Sequence, residues 1–146
     1  MRAPSDPDFE RRVRASFGAQ RAMDEIGATL HLVEPGRVEL RLDHRDRFTQ
    51  QHGFLHAGIL AAAMDSACGY AALSLMPSEA AVLTVEFKIN LLRPADAGSY
   101  RIDGDVIRSG RTITVAQATA SVDGQDEPIA VMTASLMALV DAGISN

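Results

Sequence analysis

One segment of the sequence, from Ala57 to Leu75, most limits the folds that this chain can adopt. The segment is rich in alanine and apolar around nearly its whole circumference, which favours a helix that protein surrounds on all sides. An aspartate and two serines interrupt it, so it is a poor membrane span and suits a buried helix. We therefore expect one long central helix, ended by Pro77, that other elements must cover.

Strand patterns precede and follow this helix in the sequence. Before it, two short apolar stretches enclose a Pro35-Gly36 turn. After it come four longer stretches, of which the first alternates apolar and polar residues most regularly, and hairpin signals such as Ser109-Gly110 separate the later ones. Hairpin connections indicate a mostly antiparallel sheet. The six predicted strands are Ala28–Val33, Val38–Leu42, Leu83–Leu91, Tyr100–Ile107, Thr112–Val122 and Ile129–Val140.

The predicted order of elements is a helix, two strands, the central helix and four strands, which is an α+β arrangement. The first helix is expected from Asp8 to Met23, because Phe9, Val13 and Phe17 share one helical face. An antiparallel sheet curled around the central helix would bury that helix. Such a sheet leaves its own edges open, so we also expect subunits to associate through their sheets. Residues 1–146 are interpreted as one domain in which residues 1–19 form an N-terminal helical extension.

Composition narrows the functional classes. The chain is 47% hydrophobic and 23% charged with a formal net charge of -5, which is typical of a globular protein and lacks the basic face of a nucleic-acid binder. The N-terminus has no apolar signal-peptide core, so we expect no secretion and no membrane partner. The single cysteine, Cys68, excludes an internal disulfide and is compatible with the cytoplasm.

The polar residues that lead into the central helix point to chemistry. A helix N-terminus offers free backbone N–H groups and the positive end of the helix dipole, which together favour a developing oxyanion. Ala57 and Gly58 are small, so a ligand carbonyl can approach the backbone there. Gln50 and His56 add polar groups near the same helix end. This combination predicts a site at the start of the helix.

Asp65 is the second unusual feature, because it is the only acid between Asp46 and Glu79. Burying a carboxylate costs several kcal/mol unless the group is paired or hydrogen-bonded. An acid within an otherwise apolar helix is therefore either a structural hydrogen-bond acceptor or a reactive group. The sequence position alone leaves both interpretations open.

From Gln20 onward the chain resembles the PaaI-type acyl-CoA thioesterases of the hotdog superfamily, which are similar to 4-hydroxybenzoyl-CoA thioesterase. The segment around His56 and the acid Asp65 is similar to the helix start and catalytic acid of that family. One departure is Ala57, which stands where the family usually has glycine. The segments that carry the resemblance are 26–28, 34–36, 53–58, 63–67, 83–95 and 108–112.

The resemblance implies hydrolysis of an acyl-CoA to a free acid and CoA. The substrate carbonyl would accept hydrogen bonds from the Ala57 and Gly58 N–H groups, while Asp65 from the neighbouring subunit acts as general base or nucleophile. The remaining implied roles are these: Gln50 orients the water or the carbonyl, His56 fixes the loop, and Thr84 positions the water.

The resemblance also implies a place for the CoA moiety but no metal and no separate cofactor, since CoA is part of the substrate. The phosphates would meet the turn formed by Arg108, Ser109, Gly110, Arg111 and Thr112, where arginines flank a glycine. The same turn is also interpretable as a solvated hairpin. The acyl group would be medium or long, or aromatic, in a tunnel lined by residues such as Phe54, Met64, Leu83 and Phe87.

Two alternatives remain open at this stage. A hotdog acyl-CoA hydratase would share the architecture, although the Asp-x-Asn-Pro-x-His run of hydratases is absent. A non-catalytic acyl-CoA-binding protein would keep the CoA site and tolerate loss of the Asp65 carboxylate. The subunits would assemble as a homodimer or a homotetramer in each case.

Overall fold

The computed structural model describes residues 2–146 and begins with two short helices, α1 (Phe9–Ala19) and α2 (Arg21–Ile26). The prediction of one helix from Asp8 to Met23 is wrong at Gln20, whose extended backbone (φ -82°, ψ 98°) ends α1 and begins α2. Gly27 then ends α2 with a φ of 76°, a left-handed conformation that glycine adopts without strain. The chain reverses at this point and enters the sheet.

The other elements within residues 2–146 are β1 (Thr29–Glu34), β2 (Arg37–Asp43), the central helix α3 (Ala57–Leu73), β3 (Ala81–Leu91), β4 (Ser99–Ser109), β5 (Ile113–Val122) and β6 (Pro128–Leu139). These six strands form one antiparallel sheet in the order β1-β2-β4-β5-β6-β3. The central helix separates the first two strands from the other four, as the sequence predicts, and a short 3-10 helix that was not predicted, Asp46–Phe48, precedes it. The sheet covers α3, so the predicted α+β hotdog architecture is confirmed.

The central helix is buried against the sheet along most of its length. Ala63, Met64 and Ala67 are completely inaccessible to solvent. The approach to β4 is especially close, because a Cβ atom on Gly104 would lie 2.5 Å from the carbonyl oxygen of Ala67. Glycine at this position therefore lets the helix backbone lie directly on the strand. No helix among the described residues is long and apolar enough to cross a membrane.

The C-terminal end of α3 lies before the predicted stop at Pro77. The helix ends at Leu73, and the Ser74 hydroxyl donates a 2.7 Å hydrogen bond to the carbonyl of Ala71 while accepting one from the N–H of Gly36. A side chain that satisfies the last turn and the β1–β2 turn together stops the helix earlier than the proline requires.

One arginine of α1 anchors the first helix to the end of α3. The Arg12 guanidinium donates hydrogen bonds to the carbonyl oxygens of Leu73 (3.1 Å) and Met76 (2.7 Å), and its Nε lies 3.1 Å from an Asp6 carboxylate oxygen. Helix C-terminal carbonyls lack intrahelical partners, so a cation that donates to them is favourable. Arg12 thus anchors α1 to the C-terminal end of α3, the helix that carries Asp65.

Candidate active site

The Asp65 carboxylate lies half-buried on α3 and faces β3. Thr84 Oγ1 donates a 2.7 Å hydrogen bond to Asp65 Oδ1. Burial raises the pKa of Asp65, and the hydrogen bond from Thr84 opposes this by lowering it. Among residues 2–146, the Asp65 carboxyl group thus combines reduced solvation with one hydroxyl partner, and its raised pKa suits a group that accepts a proton.

A bulge in β3 is the reason that Thr84 faces the helix. Thr84 is opposite Leu136 and Phe87 is opposite Ala134, while Val85 has no partner on β6. Leu136 and Ala134 are both fully buried, so their partners on β3 point to the helix side of the sheet. The extra residue at Val85 changes which side chains point inward and brings the threonine hydroxyl to Asp65.

The start of α3 is capped by its own histidine. His56 Nδ1 accepts a 2.9 Å hydrogen bond from the Gly58 N–H. The Ala57 N–H has no acceptor among residues 2–146, so it is the donor left free at this end of the helix. The hypothesis that both N–H groups hold a substrate carbonyl thus requires His56 to release Gly58, whereas Ala57 needs no rearrangement.

Ala57 lines a mostly apolar cleft of about 310 Å³ that Gln50 also lines. The Gln50 Oε1 atom accepts a hydrogen bond from the His52 N–H, which fixes the side chain in the loop before α3. The other cleft residues include Phe54, Leu60 and Leu92. A polar amide at the mouth of an apolar cleft is a common arrangement in small-molecule sites.

Within one chain, Asp65 and Ala57 line different cavities. They are eight residues apart on α3, which corresponds to about 12 Å along the helix axis. The cavity at Ala57 does not include Asp65, and the chamber at Asp65 does not include Ala57, so one protomer does not present both groups to the same carbonyl. The two halves of the predicted site are therefore not brought together in one protomer.

The edge strand β3 exposes an unusual amount of apolar surface. It pairs only with β6, and its other edge has no partner within residues 2–146. Long apolar edges of this kind are avoided in monomers because they pair with other chains. The exposed apolar side chains on β3, with their exposed fractions, are Leu83 (50%), Val85 (56%), Phe87 (43%) and Leu91 (53%).

The four residues expected to line an acyl tunnel do not meet in one cavity of the protomer. Phe54 lines the cleft beside Ala57, and Met64 is fully buried in the core. Leu83 and Phe87 are exposed on β3, and the bulge places them on opposite faces of the sheet. The regular alternation predicted for this strand is therefore wrong across the bulge.

The turn 108–112, which includes the last two residues of β4 and leads into β5, is exposed throughout. Ser109 is opposite Thr114, Thr114 is opposite Leu136, and Leu136 is opposite Thr84. The turn therefore lies at the same end of the sheet as the Asp65–Thr84 pair, three strand spacings or about 14 Å away.

The two arginines of this turn are free to bind an anion. Arg108 and Arg111 make no ion pair with any residue that the structure describes. The turn backbone is held by the Gly110 N–H, which donates to the carbonyl of Ile113. A fixed turn with two unpaired guanidinium groups suits phosphate binding.

Sequence reasoning missed a second set of residues around Asp65. A small chamber of about 160 Å³ adjoins the carboxylate. Gln20 and Asn146 line it, although neither belongs to a recognisable motif. Ser66 was the one available signal, because it follows Asp65 directly and forms a polar pair within an apolar helix. The chamber is lined by Gln20, Asp65, Ser66, Gly69, Tyr70, Val82, Thr84 and Asn146.

Comparison with known proteins agrees with this architecture. The sequence profile described as "Thioesterase superfamily" matches residues 52–129. A crystal structure of a thioesterase family protein from Silicibacter pomeroyi is 53% identical in sequence, covers 90% of this chain and 98% of that one, and superposes with a TM-score of 0.87. The PaaI protein from the phenylacetic acid degradation operon of E. coli has the same fold at 18% identity, with a TM-score of 0.83 and coverage of 90% of this chain and 94% of that one.

A curated relative points to the same class. A candidate esterase from Saccharolobus solfataricus is 38% identical over 85 residues, which are 58% of this chain and 60% of that protein. The match thus spans less than two thirds of the relative's length. The fold defines a hotdog protein with an acid on its central helix. The chain belongs to the thioesterase superfamily, and the resemblance to hotdog thioesterases is confirmed.

Proposed function

We propose that the protein hydrolyses acyl-CoA thioesters to a free acid and CoA, with Asp65 as the reactive carboxylate. The observation that carries the proposal is the hydrogen bond that Thr84, on β3, donates to Asp65, on the mostly apolar helix α3. Burial raises the pKa of Asp65, which means that the ionised carboxylate is less favourable in the folded protein than in water. A purely stabilising role therefore does not explain an acid at this position. Membership of the thioesterase superfamily supports the reaction class.

The reaction needs two subunits. Asp65 and Ala57 line different cavities and lie about 12 Å apart along α3, which supports a site that combines groups from two protomers. Pairing of the exposed β3 edge with a second copy would extend the sheet and place the helix of one subunit beside that of the other. We therefore propose a homodimer, or a homotetramer built from such dimers, in which each site combines Asp65 of one subunit with Ala57 of the partner subunit.

Each group in this composite site has a defined task. The Ala57 N–H donates to the thioester carbonyl, and one such donor contributes roughly 3 kcal/mol to stabilising the oxyanion. Gln50 orients the carbonyl or the water, and Thr84 holds the Asp65 carboxylate and the attacking water in position. His56 keeps the first turn of the helix in place through Gly58. Asp65 serves as the general base on water or as the nucleophile.

The CoA part of the substrate is proposed to bind along the end of the sheet. The turn 108–112 lies about 14 Å from Thr84, a distance that the extended pantetheine arm between the thioester and the phosphates can span. Arg108 and Arg111 would neutralise the phosphates, and the turn N–H groups would add hydrogen bonds. The resemblance favours a medium, long or aromatic acyl group, whereas the small chamber beside Asp65 favours a shorter one.

The test is release of CoA, measured with a thiol reagent, from saturated acyl-CoAs of two to sixteen carbons and from phenylacetyl-CoA. We expect hydrolysis by the wild type and a loss of about two orders of magnitude or more in Asp65→Asn. Asp24→Asn, which removes an exposed acid on α2, is the matched control and should keep full activity.

Two other outcomes would replace the proposal. If neither protein releases CoA from any substrate while both still bind CoA, the chain is a non-catalytic acyl-CoA-binding protein. If an enoyl-CoA gains water without release of a free thiol, the chain is a hydratase. Both alternatives keep the fold, so only this chemical readout separates them.

A further inference from the structure

Two residues that line the chamber beside Asp65 lie outside the segment matching the thioesterase superfamily. That segment covers residues 52–129, whereas Gln20 belongs to the break between α1 and α2, and Asn146 follows β6. Both residues line the chamber together with Asp65 and Thr84. Gln20 and Asn146, here called the chamber wall, therefore bound the chamber from segments other than α3 and β3.

Hydrogen bonds hold both parts of the wall in place. Ser66 Oγ donates a 3.1 Å hydrogen bond to Gln20 Oε1, which fixes the glutamine against α3. Asn146 Nδ2 donates a 2.9 Å hydrogen bond to the carbonyl of Ala80, at the start of β3. Both hydrogen bonds connect the segments before β1 and after β6 to elements that carry the site, so the wall has a defined position.

The size of the chamber sets a limit on what enters it. Its volume is about 160 Å³. A protein cavity of roughly 150 Å³ is known to accommodate a benzene molecule, so the chamber takes a group of about six carbon atoms. A longer straight chain would press its apolar end against the amides of Gln20 and Asn146 and deprive them of solvent, which is unfavourable.

We propose that Gln20 and Asn146 determine the acyl specificity of the enzyme by limiting the group that enters from the Asp65 side to about six carbons. The inference rests on the proposed thioester hydrolysis and on entry of the acyl group past Thr84. It assigns the N-terminal helices and the segment after β6 a role in substrate selection. The longer acyl groups favoured by the resemblance are then poor substrates of the wild type.

The test compares chain-length profiles, as kcat/KM for saturated acyl-CoAs of two to sixteen carbons, between the wild type and variants that open the wall. The wild type should decline beyond about six carbons. Gln20→Ala and Asn146→Ala should each raise kcat/KM for the ten-carbon substrate relative to the four-carbon one by about tenfold, because roughly two more methylene groups become buried. A third variant lacks residues 141–146, which removes Asn146 from the chamber and keeps the hydrogen bond between Ser66 and Gln20.

Gln117→Ala is the matched control, since it removes an exposed glutamine on β5 that lies outside the chamber, and its profile should equal that of the wild type. Melting temperatures of all variants identify any that fail to fold. A wild type that prefers twelve to sixteen carbons, or folded variants whose profiles do not change, would overturn the inference while leaving thioester hydrolysis intact. Absence of CoA release at every chain length would instead overturn the proposed function itself.

Discussion

Thr84 Oγ1 and Asp65 Oδ1 are 2.7 Å apart, although the two residues lie on different elements and the bulge at Val85 is needed to bring them together. The contact joins the strand at the edge of the sheet to the helix at its centre. Two opposing effects act on the pKa of Asp65, because burial raises it and the hydrogen bond from Thr84 lowers it. Changing Thr84 therefore changes the titration of Asp65 in a known direction.

We expect Thr84→Val to move the acid limb of the pH–activity profile to higher pH. The hydroxyl donates to the ionised carboxylate, so its loss raises the pKa of Asp65 further and leaves less of the reactive form at low pH. Activity near pH 5 should fall by roughly three- to tenfold more than activity near pH 8. Thr84→Ser keeps the donor and should retain the wild-type limb; equal losses at both pH values in Thr84→Val would argue for a packing role instead.

Asp65 should also weaken the fold as the pH rises. Its pKa in the folded protein is raised, so the folded state holds a proton that the unfolded chain has already released. The contribution of Asp65 to the free energy of unfolding is fully present below the ordinary aspartate pKa of about 3.9. It is lost as the pH rises through the raised pKa of the folded protein. Asp65→Asn removes this loss, and we expect its melting temperature to exceed that of the wild type by at least about 2 °C at pH 7.

The measurement for this stability effect is thermal unfolding from pH 4 to pH 8 at one fixed protein concentration, because association also stabilises the fold. The difference between Asp65→Asn and the wild type should grow with pH. A difference that is constant across the range, or that shrinks as the pH rises, would show that ionisation of Asp65 does not limit stability.

Much of the fold follows from patterns that are local in the sequence. The apolar segment after Ala57 requires a covering sheet, and the strand patterns and hairpin signals supply one, which the structure confirms. The early end of α3 was not predictable, because Ser74 acts through a hydrogen bond to the distant Gly36. Likewise, nothing local marks Gln20 as a break between helices.

In the candidate site, too, the residues marked by local sequence were predictable, and those placed by tertiary contacts were not. Asp65 and Ala57 could be selected because an acid in an apolar helix and small residues at a helix start are local signals. The bulge at Val85 could not be predicted, since it depends on pairing with β6, and its effect is to reverse which side chains face the helix. The chamber wall at Gln20 could not be predicted either, because the residue meets Ser66 only through tertiary packing.

Arg12 makes a separate prediction about stability. Its side chain is 13% exposed, is paired with Asp6 and donates to the carbonyls at the end of α3. Removal of one member of a buried ion pair typically costs about 3–5 kcal/mol, so Arg12→Ala should lower the melting temperature by roughly 6–20 °C. Arg11→Ala is the control, because Arg11 is 79% exposed and its ion pair with Asp8 should contribute less than about 1 kcal/mol. Similar effects of the two changes would contradict the anchoring role of Arg12.

The composite site makes a prediction that only an oligomer can fulfil. Gln50 lines the cleft at the start of α3, whereas Asp65 lines the chamber beside β3. If each site takes Asp65 from one subunit and Gln50 from the other, an oligomer that mixes Asp65→Asn and Gln50→Ala subunits contains one intact site in each mixed dimer. Random mixing of equal amounts of the two variants makes half of the dimers mixed, and each mixed dimer has one of its two sites intact. About one quarter of the wild-type activity should therefore return.

In the experiment, the Asp65→Asn and Gln50→Ala variants are unfolded together, refolded together and assayed for CoA release, with each variant refolded alone as the control. Recovery well above the sum of the separate activities supports a site shared between subunits, and no recovery despite mixed oligomers would place both residues in the site of a single chain.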